Sequence, residues 1–320
     1  MIPRRTTLFA LAAALVLPFA GPALAGQPLK VVATTGMIAD AARQVGGDLV
    51  EVKALMGPGV DPHSYRQTRT DIVAMTRADL VLWHGLYLEA QMENFFQDLG
   101  RKRNVVAVAD GLPHELLRGH DSYADKFDPH VWMTPVLWKK VVEQVQIALS
   151  ETQPENADTF AANAAVHLAD LDRLSDYAKA SMALIPPENR VLLTAHDAFG
   201  YFGVSYGIEV LGIQGISTES EAGLNRIKAL VDTLVERGIT AVFVESSVSD
   251  RNIRAVIEGA AARGHTVSIG GELYSDAMGP DGTYEGTYLG MIDHNVTVIA
   301  AALGADVPAR GMAGKLLAGS

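Results

Sequence analysis

Residues 155–184 read ENADTFAANAAVHLADLDRLSDYAKASMAL, a run without Gly or Pro that is bounded by Pro154 on one side and by Pro186-Pro187 on the other. Phe160, Ala164, His167, Leu168, Leu171, Leu174, Tyr177 and Ala178 recur within it at helical spacing. A helix of about 30 residues rises roughly 45 Å, longer than a helix inside one small lobe needs. The run therefore predicts a rigid strut joining two lobes, with a long helix inside a single domain as the alternative.

On both sides of this strut, short apolar β-rich runs alternate with amphipathic stretches, the pattern of βα units and a mostly parallel sheet. The first half places strands at Lys30–Thr34, Val50–Met56, Asp79–Trp83 and Val105–Ala109, with helices at Met37–Val45, Arg69–Thr76, Glu89–Leu99 and Pro135–Leu149. The second places strands at Arg190–Ala195, Ile208–Leu211, Ala241–Glu245 and Thr266–Ile269, with helices around Glu219–Arg237 and Asn252–Arg263. The predicted fold class is α/β: two (βα)4-type lobes with mostly parallel sheets joined by one long linking helix. The expected boundaries are 1–25 for an export signal, 26–153 for the first lobe, 154–186 for the linking helix and 187–320 for the second lobe.

Arg4 and Arg5 precede an apolar run from Leu8 to Phe19, followed by the small-x-small triplet Ala23-Leu24-Ala25. This is the layout of a secretory signal cleaved near Ala25, and the apolar core is shorter than the roughly 20 residues of a spanning helix. The expectation is a free, monomeric, periplasmic protein without a membrane anchor, exported by either the general or the twin-arginine route. The chain has 26 Lys+Arg, 37 Asp+Glu and no Cys. Its net charge of −11, with no basic run, argues against nucleic acid as a partner and suits cations. The absence of Cys removes disulfides, thiolate metal sites, a Cys nucleophile and a lipid-modified Cys, so any metal must be held by His and carboxylate.

Parallel α/β sheets bind ligands at the carboxyl ends of their strands, which singles out four residues. His63 lies in the loop Gly57-Pro58-Gly59-Val60-Asp61-Pro62-His63-Ser64-Tyr65, and His130 lies in Asp128-Pro129-His130-Val131-Trp132. His196 closes the strand Arg190–Ala195, and Asp276 follows the strand ending near Gly270-Gly271. In both Asp-Pro-His tripeptides the proline stiffens the backbone just before the imidazole. Three imidazoles and one carboxylate suit a borderline divalent cation, although a lone loop His is more often merely solvated. Glu245, Asp61 and Asp128 are placed to orient these groups, with plain loop hydrogen bonding as the equal alternative. His84, His167, His265 and His294 read as structural, His84 least securely because it too stands at a strand end. The acidic loop with His114, His120, Asp121, Asp125 and Asp128 reads as a solvated surface, with weak metal collection as its alternative.

The same segments carry a resemblance. Asp61 to Tyr65, Asp128 to Trp132, Thr194-Ala195-His196-Asp197-Ala198-Phe199-Gly200-Tyr201-Phe202, Gly212 to Glu219 and Tyr274-Ser275-Asp276-Ala277 together resemble the periplasmic metal-binding subunits of zinc and manganese ABC importers, the cluster A-I solute-binding family, most closely its TroA-type members. The likeness runs from about Leu29 to Leu303. It implies two α/β lobes joined by one long helix, with His63, His130, His196 and Asp276 as ligands to one buried ion, Zn2+ or Mn2+, handed on to a membrane permease. Manganese-dedicated members often have Glu where His196 stands, and many zinc-dedicated ones carry a His/Asp-rich loop before the second His; this sequence has neither. A four-donor set predicts capture rather than turnover, so no enzyme is expected. A secreted zinc-dependent hydrolase and a binding protein for a metal chelate are the competing readings.

Overall fold

A computed structural model describes residues 27–120 and 123–317, so the export-signal reading of residues 1–25 lies outside the described residues, as does Asp121 of the acidic loop. The first lobe is built from β1 (Leu29–Ala33), α1 (Gly36–Gly46), β2 (Val50–Ala54), α2 (Arg69–Arg77), β3 (Leu80–Trp83), α3 (Glu93–Gly100), β4 (Val105–Ala107) and α4 (Pro135–Thr152). Its four strands form one parallel sheet in the order β2-β1-β3-β4, with Leu29 opposite Val50 and Val31 opposite Leu80. β1 and β3 bury nearly every residue, as central parallel strands covered on both faces do.

The long run forms α5 (Ala157–Ala183), about 40 Å at 1.5 Å per residue. It packs on α1 and α4 of the first lobe and continues onto the second. The second lobe comprises β5 (Val191–Thr194), α6 (Gly200–Tyr206), β6 (Glu209–Gly212), α7 (Leu224–Arg237), β7 (Ala241–Glu245), α8 (Arg251–Ala261), β8 (Ser268–Leu273) and α9 (Tyr288–Ala302). Its parallel ladders are β5-β6 and β7-β8, with β5 and β7 side by side, and α5 lies against α6 and α9. One apolar cluster runs through both lobes, joining Val31 and Leu82 to Trp138, Phe160, Leu171 and Leu174, and onward to Leu192, Phe243 and Ile299.

Three elements differ from the sequence reading. β8 does not stop at the Gly270-Gly271 pair but runs on to Leu273. A Cβ at Gly270 would come within 2.9 Å of both Ala302 and Phe243, and one at Gly271 within 2.4 Å of Val298, so the pair lets the strand press against α9 instead of ending it. The helix expected from Glu219 starts only at Leu224, and that expected from Glu89 becomes a short turn, Ala90–Met92, before α3. There the Glu89 carboxylate turns inward and accepts hydrogen bonds instead of facing solvent.

Along α5, Leu171 is fully buried whereas Val166 is 67% exposed. Leu171→Ala is expected to destabilise the fold by about 2–5 kcal/mol and Val166→Ala by under about 0.5 kcal/mol, read as the shift in the urea unfolding midpoint.

Candidate metal centre

All the chemically interesting side chains stand at the carboxyl ends of the parallel strands. The loop after β2 is held by a β-turn in which Val60 N–H bonds to Gly57 C=O, with Pro58 second and Gly59 at φ 72°, a type II geometry that favours glycine at that place. Asp61 then clasps the backbone that follows: one oxygen accepts His63 N–H at 2.9 Å and the other accepts the Ser64 hydroxyl at 2.9 Å. Tyr65 donates its hydroxyl to Asp71 at 2.7 Å, and Asp71 completes a capping box with Thr68 at the start of α2. Burial opposes charge on Asp71, but the Thr68 hydroxyl and amide and the Tyr65 hydroxyl outweigh it and hold the carboxyl below its ordinary range.

His130 is positioned by Asp128, which accepts from both its backbone N–H at 3.0 Å and its ring Nδ1 at 2.7 Å. Across the molecule Glu245, the last residue of β7, does the same for His196, accepting from backbone N–H at 2.9 Å and from Nδ1 at 2.5 Å. A carboxylate on Nδ1 fixes the tautomer and turns Nε2 inward. Of the three orienting carboxylates expected from sequence, Asp128 and Glu245 hold rings; Asp61 holds backbone, and its second oxygen also accepts the Thr218 hydroxyl from the other lobe at 2.7 Å.

The inward atoms converge. Ligand atoms of His63, His130, His196 and Asp276 all lie within 4.8 Å of one another, and all four residues are buried. His63 Nε2 is 3.3 Å from His130 Nε2, while Asp276 Oδ1 is 3.4 Å from His130 Nε2 and Asp276 Oδ2 is 3.1 Å from His196 Nε2 and 3.8 Å from His63 Nε2. The contact with His196 is close but off-angle, so His196 Nε2 and both Asp276 oxygens have no hydrogen bond despite being sealed from water. Buried donors and acceptors normally find partners, and a group left this way is energetically costly. A cation at the common centre would satisfy every one of these atoms at once.

The electrostatics of the cluster are strongly coupled. Burial pushes the His63 ring down to about 3. His130 is also penalised by burial, but Asp128 and then Asp276 raise it to about 9. His196 is likewise raised despite burial, by Asp276 and Glu245, and Asp276 is driven well below the ordinary carboxylate range because the imidazoles outweigh its desolvation. Metal binding must therefore displace protons.

Two residues outside the predicted set support it. His84, read as structural, is 1% exposed and sets its Nε2 2.7 Å from the carbonyl of Pro129, steadying the loop that carries His130; burial lowers its ring to about 3. Glu89 accepts from the Thr34 hydroxyl at 2.6 Å and from His84 N–H at 2.8 Å, and burial raises it to about 7. His84 was visible as a strand-end residue; Glu89 carried no sequence signal. His167 and His294 are buried, and His265 bonds to the Ile239 carbonyl, all away from the cluster. Among the described residues no other group of three or more His, Asp or Glu is gathered in this way, the acidic loop at 114–128 included.

Residues 31–302 match the family model of the periplasmic component A of the zinc-uptake complex, ZnuA. The chain belongs to this family. It is 49% identical over 280 residues to the manganese-binding lipoprotein MntA of Bacillus subtilis strain 168, covering 87% of this chain and 91% of that protein. It is 45% identical over 278 residues to the zinc-binding protein TroA of Treponema pallidum strain Nichols, covering 87% and 89%. The solved structure of the periplasmic zinc-binding protein TroA from Treponema pallidum superposes with a TM-score of 0.84 at 44% identity, covering 86% of this chain and 99% of that one. The two-lobed α/β architecture is thus the family's own.

Replacing Glu245 by Gln keeps an acceptor for the backbone but removes the charge on Nδ1 of His196. Zinc affinity is expected to fall about 10- to 100-fold in a chelator competition titration.

Proposed function

We propose that this protein is the solute-binding component of an ABC importer, which captures one bare divalent ion, zinc or manganese, between its lobes and delivers it to a membrane permease. The observation that carries this reading is the convergence of His63, His130, His196 and Asp276 on one sealed point. In this proposal those four are the ligands, two from each lobe, and the ion exchanges its water shell for three nitrogens and a carboxylate. Four protein donors fill a tetrahedral shell, which favours retention over turnover, so the protein acts as a carrier and not as an enzyme. Three imidazoles favour zinc over manganese in affinity, following the general order for divalent metals. A narrow, fully buried centre also fits a bare ion better than a chelate.

The remaining assignments belong to the same proposal. The chain is exported, cleaved near Ala25 and works as a free monomer in the periplasm. Residues 26–153 and 187–320 form the capturing lobes, with 154–186 between them. No helix among the described residues is long and apolar enough to cross a membrane.

Because an ion that binds only the folded chain stabilises it by mass action, zinc at a thousandfold excess over Kd is expected to add about 4 kcal/mol to the chelator-stripped protein. A raised melting temperature and one equivalent of metal by mass spectrometry, both lost in His196→Ala, is the expected result; an unchanged melting temperature with saturating zinc and manganese would defeat the proposal.

A further inference from the structure

The four candidate ligands are at most 3% exposed, so an ion needs a passage to reach them. Of the clefts bordering the loops of the site, a small one of about 160 Å³ beside Asp61 and Ser247 holds none of the four, and two larger ones remain. One, of about 380 Å³, has Asp276 itself in its wall, together with Met56, Gly57, Pro58, Met278 and Asp281. The other, of about 480 Å³, is lined by His120, Asp197, Glu219, Glu221 and Arg226 and includes none of the four ligands.

We propose that the ion enters and leaves through the first cleft, with Asp276 the first ligand to meet an entering ion and the last to release it. This rests on the metal-capture reading above. Asp276 is the one member of the cluster among the residues that line the cleft; its two carboxylate oxygens are sealed in this structure, so a small shift of the wall beside it would open that carboxylate before His63, His130 or His196. The turn at Gly57–Val60 that bounds the cleft opens the loop carrying His63, so ligation proceeds from Asp276 to His63 and then to the two rings clamped by Asp128 and Glu245. The second cleft is more acidic, but its carboxylates are engaged: Glu219 accepts from Gln91 and Glu221 from Asn252. It stops at Asp197, short of the ligands.

The distinctive signature of a passage is kinetic: narrowing it slows entry and exit together and leaves the equilibrium alone. Gly57 is exposed, a Cβ there meets nothing within 4 Å, and it occupies the first turn position, which any residue can take. Gly215 offers the same freedom in the second cleft. Zinc binding to the metal-free mature chain is followed by stopped-flow tryptophan fluorescence, since the Trp132 ring lies 5.1 Å from that of His130, and release is followed with excess chelator. Gly57→Phe is expected to slow both rates by about fivefold or more with Kd within about twofold of wild type, and Gly215→Phe to leave both rates unchanged. Asp281→Asn, at the exposed rim of the first cleft, should lower the entry rate and its salt dependence, and Glu221→Gln should not. The metal-free melting temperature of each variant verifies folding. Slowing by Gly215→Phe in place of Gly57→Phe, or unchanged rates in both, would overturn the route. A wild-type chain that binds no zinc would overturn the capture reading and the route with it, a failure visible before any variant is made.

Discussion

The structure depends on keeping a carboxylate and three imidazoles together and out of water, with the carboxylate and the His196 Nε2 left without a hydrogen bond. Asp276 sits with both oxygens sealed and unpartnered, against the Nε2 atoms of His63, His130 and His196. Burying polar atoms in this state is costly, and the surrounding fold supplies the rigidity that holds them there. The parallel sheets do most of this. Since the strands within each ladder run parallel, the loops after β2, β4, β5 and β8 bring side chains from distant parts of the sequence to one point.

Orientation is then refined by carboxylates, and the refinement is uneven. Asp128 and Glu245 each grip one imidazole twice, by backbone N–H and by Nδ1, which leaves the ring little freedom to turn. Asp61 instead secures the chain around His63 and reaches Thr218 across the lobe boundary. Two of the imidazoles are therefore electronically enriched by an anion on the far nitrogen, and the third is positioned through its loop. The same unevenness appears in their charge: His130 and His196 are raised, His63 is depressed.

How much of this was legible in the sequence follows from which residues act locally. The Pro-bounded run at 155–184 announced α5 because a helix without internal breakers leaves a periodic trace. His63, His130, His196 and Asp276 could be named because Asp-Pro-His stiffens a loop and strand ends converge in a parallel sheet, both local facts with a predictable spatial consequence. Glu245 was legible for the same reason. Glu89 was not: its value lies in accepting from Thr34 and His84, partners set only by tertiary packing, and nothing in its own neighbourhood signals that. Gly270-Gly271 misled because glycine pairs usually end strands, whereas here the missing side chains make room for Val298, Ala302 and Phe243.

The way the lobes are joined limits how the site can open. Trp132 donates its indole N–H to the Ser275 carbonyl beside Asp276, Tyr201 donates to the Asp128 carbonyl beside His130, and Tyr288 donates to the Trp132 carbonyl, each at 2.7–2.8 Å and each crossing from one lobe to the other. A wide hinge would break all three, at about 1 kcal/mol net apiece and more for groups left buried and unpaired. It would also split the apolar cluster that runs from the first lobe through α5 into the second. A displacement confined to one wall, such as the glycine-rich segment beside Asp276, breaks none of the three and exposes little of that core. The bonds that hold the four clustered side chains in register are thus also what make local loosening a less costly way to open the site than a wide hinge.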